Sequence, residues 1–212
     1  MSSYIPKNAV TQSFRSNKGV LTPNQIIDLD NQNKFTKYGQ LELIQTQEIT
    51  SAQTYIDFTN IKEDEYDVHF ITWNNVHPQS DSKVLTLRLS DDGGTSYESA
   101  NYEVAFININ ASASFNATGS SSNTFMYCST SVGTGTGECA NGYAYLYHLG
   151  DERNESFNTF QNSDLQAAPT LQTFVGSQIY NQTSIINALR FGTSDGSSTW
   201  TGDFSVYGLR FA

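Results

Sequence analysis

Charge is scarce in this 212-residue chain, where Asp, Glu, Lys and Arg together make up 15%. Basic residues are scarcer still: 11 stand against 21 acidic ones, a formal net charge of -10. A body of that sign repels phosphate backbones and anionic headgroups, so nucleic acid is not an expected partner. No run approaches the roughly 20 apolar residues that cross a bilayer, so membrane insertion is not expected either. The start, MSSYIPKNAV, lacks a charged region followed by an apolar core, and export by a cleaved signal is not expected. Two cysteines and three scattered histidines cannot complete a tetrahedral zinc site with recognisable spacing, and no metal or cofactor is expected. The chain shows no helical HExxH, and no nucleophile elbow is expected, so no enzymatic activity is expected. A hydrolase with two carboxylates on neighbouring strands leaves no linear motif and stays open as an alternative.

What is abundant is Ser, Thr, Asn, Gln and Gly, together with 13% aromatics led by Phe and Tyr. That mixture favours strands and polar loops, and the aromatic content separates it from a disordered chain. From Leu41 onward apolar positions alternate between turn residues, predicting strands at 41–49, 52–59, 66–76, 83–90, 102–110, 123–129, 142–149, 155–162, 177–182, 186–192 and 203–212. Leu85, Leu87 and Leu89 share one face of such a strand, with Thr86, Arg88 and Ser90 on the other. His69 and His148 fall inside strand patterns, where a packed histidine is commoner than a catalytic one. The expected fold class is all-β, an antiparallel β-sandwich with an extended N-terminal arm. Residues 1–38 form the arm and residues 39–212 the sandwich. Within the arm, Thr22 and Pro23 open a short helix whose apolar contacts are Ile26, Ile27 and Leu29.

Charge is also unevenly spread. Residues 1–40 carry five basic and two acidic side chains, net +3, which leaves six basic and nineteen acidic, net -13, for the remainder. Such an asymmetry suits a tail that docks on an acidic neighbour, another copy of the body included.

The strongest local signal is Ser90-Asp91-Asp92-Gly93-Gly94-Thr95-Ser96-Tyr97, similar to an Asp-box hairpin. A looser copy occurs at Thr193-Ser194-Asp195-Gly196-Ser197-Ser198-Thr199-Trp200. In such a turn a buried Asp accepts hydrogen bonds from turn amides, glycine takes a positive φ, and the aromatic packs over the hairpin. Asp81, Asp91 and Asp92 offer oxygens of the type calcium prefers, without EF-hand spacing, so solvated turn carboxylates are the plainer reading. Trp73, Tyr97, Trp200 and the tyrosines of 142–149 are either core or a platform for a sugar face. Cys128 and Cys139 flank a Gly/Thr loop and are either bridged or free.

The run SNKGVLTPNQIIDLDNQNKFTKYGQLELIQTQEITSAQTYIDFTNI, followed by YDVHFITWNNV, LRLSDDGGTSYES and FSVYGLRF, resembles small structural proteins of tailed phages that infect aquatic bacteria, over nearly all of residues 41–212 and more loosely over the arm. That resemblance implies a jelly-roll or lectin-like form of the sandwich, a virion location and a tail-fibre-like appendage. A capsid decoration protein and a glycan-binding lectin are the alternatives. Its implied partners are other virion proteins, tail or capsid, reached through the arm. Homo-oligomerisation, with three-fold symmetry frequent among phage fibres, and host surface polysaccharide complete the expectation. The residues expected to anchor the arm are Tyr4, Ile5, Phe14, Arg15, Lys18, Leu21, Ile26 and Ile27. Asp92, Tyr97, Asp195 and Trp200 are expected to mark one glycan-binding loop edge.

Overall fold

The computed structural model describes residues 22–32, 41–166 and 170–209. The chain divides into two compact units, residues 1–39 with 211–212, and Gln40–Arg210.

In the first unit a single helix, α1 (Pro23–Asn31), is described. Proline at its first position costs nothing, because that amide has no intrahelical partner. Thr22 caps it reciprocally: the Gln25 amide donates to Thr22 Oγ1 at 3.3 Å, and the Thr22 amide donates to Gln25 Oε1 at 2.9 Å. This is a capping box of the form Thr-x-x-Gln. Ile26 and Ile27 are 38% and 56% exposed.

The second unit is an antiparallel β-sandwich of twelve described strands. In chain order these are β1 (Leu41–Gln53), β2 (Tyr55–Phe58), β3 (Val68–Pro78), β4 (Thr86–Ser90), β5 (Tyr102–Asn110) and β6 (Phe115–Asn123), then β7 (Met126–Tyr127), β8 (Ala140–Tyr147), β9 (Ser156–Leu165), β10 (Leu171–Tyr180), β11 (Ala188–Gly192) and β12 (Trp200–Leu209). Eight form one sheet in the order β1-β12-β3-β8-β9-β10-β5-β6, and four form the other, β2-β11-β4-β7. The last strand therefore lies between the first and third. Strand β6 was not expected from the sequence: FNATGSSSN has one large apolar residue and no usable alternation, and it forms only as the outer arm of a hairpin with β5. His148 is also not a strand residue. It adopts φ +64° just beyond β8 and is exposed.

The core lies between the sheets and follows the alternation. Leu85, Leu87 and Leu89 are fully buried, facing Ile56, Phe58 and Phe191 of their own sheet's neighbours and the aromatic centre of the larger one. At that centre Phe191 lies 5.0 Å from Phe204 and 6.2 Å from Trp73, ring to ring. Trp73 fits because Gly142 faces it across β8; a Cβ there would come within 2.5 Å of the indole.

The inward face of β9 and β10 is unusually polar. Ser156, Asn158, Asn162, Asp164, Gln172 and Gln178 are all buried. Their bonds join the sheets. Gln178 accepts from the Tyr127 amide at 2.6 Å and donates to its carbonyl at 2.9 Å, completing the edge of β7 as a strand would. Trp73 Nε1 donates to Asn162 Oδ1 at 2.8 Å, and Asn162 Nδ2 donates to Asp164 Oδ2 at 3.0 Å. Among the described residues Asp164 Oδ1 has no partner of good hydrogen-bond geometry, and neither has Nε2 of Gln172, the residue opposite it in register. Burial therefore outweighs the hydrogen bonds and pushes the Asp164 carboxyl up to about 7.

A raised carboxyl pKa makes the folded state hold its proton longer than the unfolded chain does. Stability from this group is full below about pH 4, falls as pH rises through about 7, and is level above it. Buried His69, whose pKa is lowered by burial, pulls the opposite way below its unfolded pKa of about 6.5. The comparison of Asp164→Asn with the parent chain cancels the histidine. Urea unfolding from pH 4 to 8 should show the variant gaining on the order of 2 to 4 kcal/mol relative to the parent across that window. Equal pH profiles would mean that Asp164 is ionised in the fold.

Candidate binding surfaces

Both Asp-box-like runs are found to be crossovers rather than hairpins. Residues 91–101 lead from β4 in the small sheet to β5 in the large one, and 193–199 lead from β11 to β12 in the same sense. Asp92 is exposed, not buried, yet its carboxylate organises the first turn as expected. It accepts from the Ser96 hydroxyl at 2.6 Å, the Ser96 amide at 2.9 Å and the Ser90 hydroxyl at 2.8 Å. Those bonds, the Ser96 hydroxyl first, hold its pKa down to about 2. Gly93 and Gly94 supply φ values of +73° and +86°, which a two-residue reversal there requires. In the second turn the Ser197 amide donates to Asp195 Oδ1 at 2.9 Å, and Asp195 is likewise held below the usual carboxylate range by Ser197.

Tyr97 leaves the first turn to cover Arg190. The guanidinium lies 3.9 Å from the Tyr97 ring centre and 4.3 Å from that of Tyr55, and it is clamped edge-on by both Asp57 oxygens at 2.7 Å. Burial, then the Asp57 charge, pushes the Tyr97 hydroxyl up to about 12. A guanidinium packed against two tyrosine rings and paired along one edge with a carboxylate has its charge already matched, so this cation serves the fold. Trp200 corrects the sequence-based expectation most clearly. Its side chain is completely buried, so it presents no face to a sugar.

Of the arm residues expected to anchor the chain, Ile26 and Ile27 lie in α1 and are exposed. Tyr4, Ile5, Phe14, Arg15, Lys18 and Leu21 lie outside the described residues. Cys128 and Cys139 are free thiols. Among the described residues no group of three or more His, Cys, Asp or Glu side chains is placed to hold a metal ion. The string Gly192-Thr193-Ser194-Asp195-Gly196 does satisfy G-x-S-x-G, but it joins strand to strand. The histidines bond elsewhere: His69 to the Ile61 carbonyl, His77 to Asn75 and His148 to the Glu155 carbonyl.

The feature that sequence reasoning missed is the outer face of the large sheet. Among the described residues nine large hydrophobics of the sandwich are exposed, and eight of them, Leu41, Leu43, Ile107, Phe115, Tyr143, Phe157, Leu171 and Val175, point outward from this sheet. Register places them in rows. One runs Thr72, Tyr143, Gln161, Val175, Ile107, Ala117 across six strands, and another runs Tyr207, Phe70, Tyr145, Thr159. The signal was present in the alternation of β5 and β8, but a period of two says that a strand has two faces, not which is left open. The face divides chemically. Over β12, β3, β8 and β9 it carries tyrosines among amides and hydroxyls; over β10, β5 and β6 it is mainly aliphatic, joined by Phe115 and with Glu103 near one end.

Fold and surface together define an antiparallel β-sandwich of eight and four strands with one open, apolar sheet face. No protein-family model matches the chain, and no curated protein matches it.

The Arg190 stack can be checked directly. Arg190→Lys keeps the charge but loses the paired geometry and the flat stacking surface. It should lower stability by about 1 kcal/mol in chemical denaturation, and an unchanged midpoint would show that the stack contributes nothing.

Proposed function

We propose that the protein is a non-enzymatic structural component of a tailed-phage particle, a tail-attached, fibre-like appendage anchored through residues 1–38 whose sandwich self-associates. The observation that carries self-association is the aliphatic half of the outer face. Ile107 and Val175 are each 47% exposed, Leu171 52% and Phe115 71%, with Ile109 and Ala117 between them in register. A contiguous apolar patch of this kind marks an interaction surface. A second copy suits it for an electrostatic reason. The body is strongly acidic, so like copies repel over most of their surface, but no charged residue occurs between Glu103 and Glu138. Glu103 is the one carboxylate on this face of β5, β6 and β10 among the described residues, and it stands at the end of β5 away from Phe115, so patches centred on Ile107 and Phe115 meet with it at their margin, and a symmetric pairing uses the same patch twice. The sequence resemblance supports the virion context, and the basic balance of residues 1–40 supports attachment through the arm.

Light scattering on the purified chain should give a mass above that of one copy, and Ile107→Lys with Phe115→Asp should weaken association at least about tenfold while the melting curve is kept. Gold labelling of intact particles should decorate the tail, and a chain lacking residues 2–38 should no longer join the particle. Uniform labelling over the head would make it a decoration protein, and incorporation of the truncated chain would refute anchoring by the arm.

A further inference from the structure

We infer that the tyrosine half of the same face is a binding site for a neutral polysaccharide. The site is a groove of about 330 Å³ on the outer surface of β3, β8 and β9, bordered by Thr72, Asn74, Asn141, Tyr143, Gln161 and Ser163. Its volume lies in the lower range of small-ligand sites. Three properties converge on a sugar.

The first is an aromatic floor. Tyr143 is 38% exposed and belongs to a cluster in which Phe70 lies 5.7 Å from Tyr143, 4.8 Å from Tyr145 and 6.0 Å from Tyr207. The Tyr143 hydroxyl donates to Gln161 Oε1 at 3.0 Å, and that bond fixes the ring's direction across the sheet. Rings held in advance lose little freedom when a flat C–H face of a hexose settles on them.

The second is the ring of donors and acceptors. Gln161 spends its carbonyl on Tyr143, which leaves its Nε2 directed to no partner among the described residues. The Asn74 amide and the Thr72 hydroxyl also have no protein partner among the described residues, and Asn74 is exposed. Amides and hydroxyls beside an apolar ring match a ligand that is itself hydroxyls around an apolar ring face.

The third is charge. No ionised side chain lines the groove, so nothing there compensates a phosphate, sulfate or carboxylate ligand. Beyond its end, Asp203 stands opposite Asn74 and Glu48 stands opposite Asp203, and two adjacent carboxylates repel anions while still accepting bonds from sugar hydroxyls. The chemistry therefore selects a neutral chain and disfavours an acidic one. The groove lies over β3, β8 and β9 and the aliphatic patch over β10, β5 and β6, and the two meet where Gln161 stands opposite Val175.

Affinity electrophoresis of the full-length protein in native gels tests this, using dextran, galactomannan, agarose and a mixed-linkage β-glucan as neutral probes and alginate as the anionic one. At least one neutral polymer should slow migration, alginate should not, and Tyr143→Ala should weaken the retardation by roughly tenfold. Gln161→Ala should weaken it less, and Ile185→Ser, on an exposed loop away from the face, should leave it intact. Melting curves confirm that each variant is folded. Migration unchanged by all four neutral polymers, retardation by alginate alone, or full binding by folded Tyr143→Ala would each overturn the assignment. The measurement uses the isolated chain, so its failure is separate from a failure to find the protein on particles.

Discussion

An eight-stranded sheet has two faces, and here only a four-stranded sheet is available to pack against one of them. Sheets pack about 10 Å apart through interdigitated side chains, and four strands at about 4.8 Å spacing reach across only part of eight. Where the small sheet lies, the interior is conventional, with Leu87, Leu89 and Phe191 against Trp73 and Phe204. Toward β9 and β10 the interior turns polar, and Gln178 stands in for a missing strand by bonding both backbone groups of Tyr127. On the opposite face of the large sheet the apolar rows are exposed.

The class of the fold was legible because alternation is a property of single strands. Leu85, Leu87 and Leu89 announce a half-buried strand, and each is fully buried. Thr22 and Pro23 announce a helix start, and α1 begins there. Pairing is a property of partners, and it was not legible. Strand β6 owes its existence to the β5 backbone, not to its own Ser, Gly and Asn. The Asp-box pattern correctly gave the hydrogen bonds of Asp92 but not the destination of the chain, since a turn of the same local form serves a hairpin or a crossover.

Trp200 and Tyr143 show the same limit for the surface. Both are aromatic residues beside polar ones, and sequence alone ranks the tryptophan beside Asp195 as readily as the tyrosine of β8. Their fates are set by which side of the large sheet each faces. Trp200 opens β12 on the inward side and disappears into the core. Tyr143 lies on the outward row with Thr72 and Gln161. The parity of one residue along a strand decides between packing and recognition.

The position of β12 carries a further consequence, for the order in which the molecule can be built. Pairing with β1 on one side and β3 on the other, it is the wedge that joins the beginning of the sandwich to its middle. As the chain emerges from the ribosome, β1 has no neighbour in the large sheet and β3 has a vacant edge until β12 has been made. Contacts that span nearly the whole body close last and slowly. The large sheet is thus completed in one late step, once β12 has been made, and before that step its unpaired edges need protection from one another on neighbouring chains.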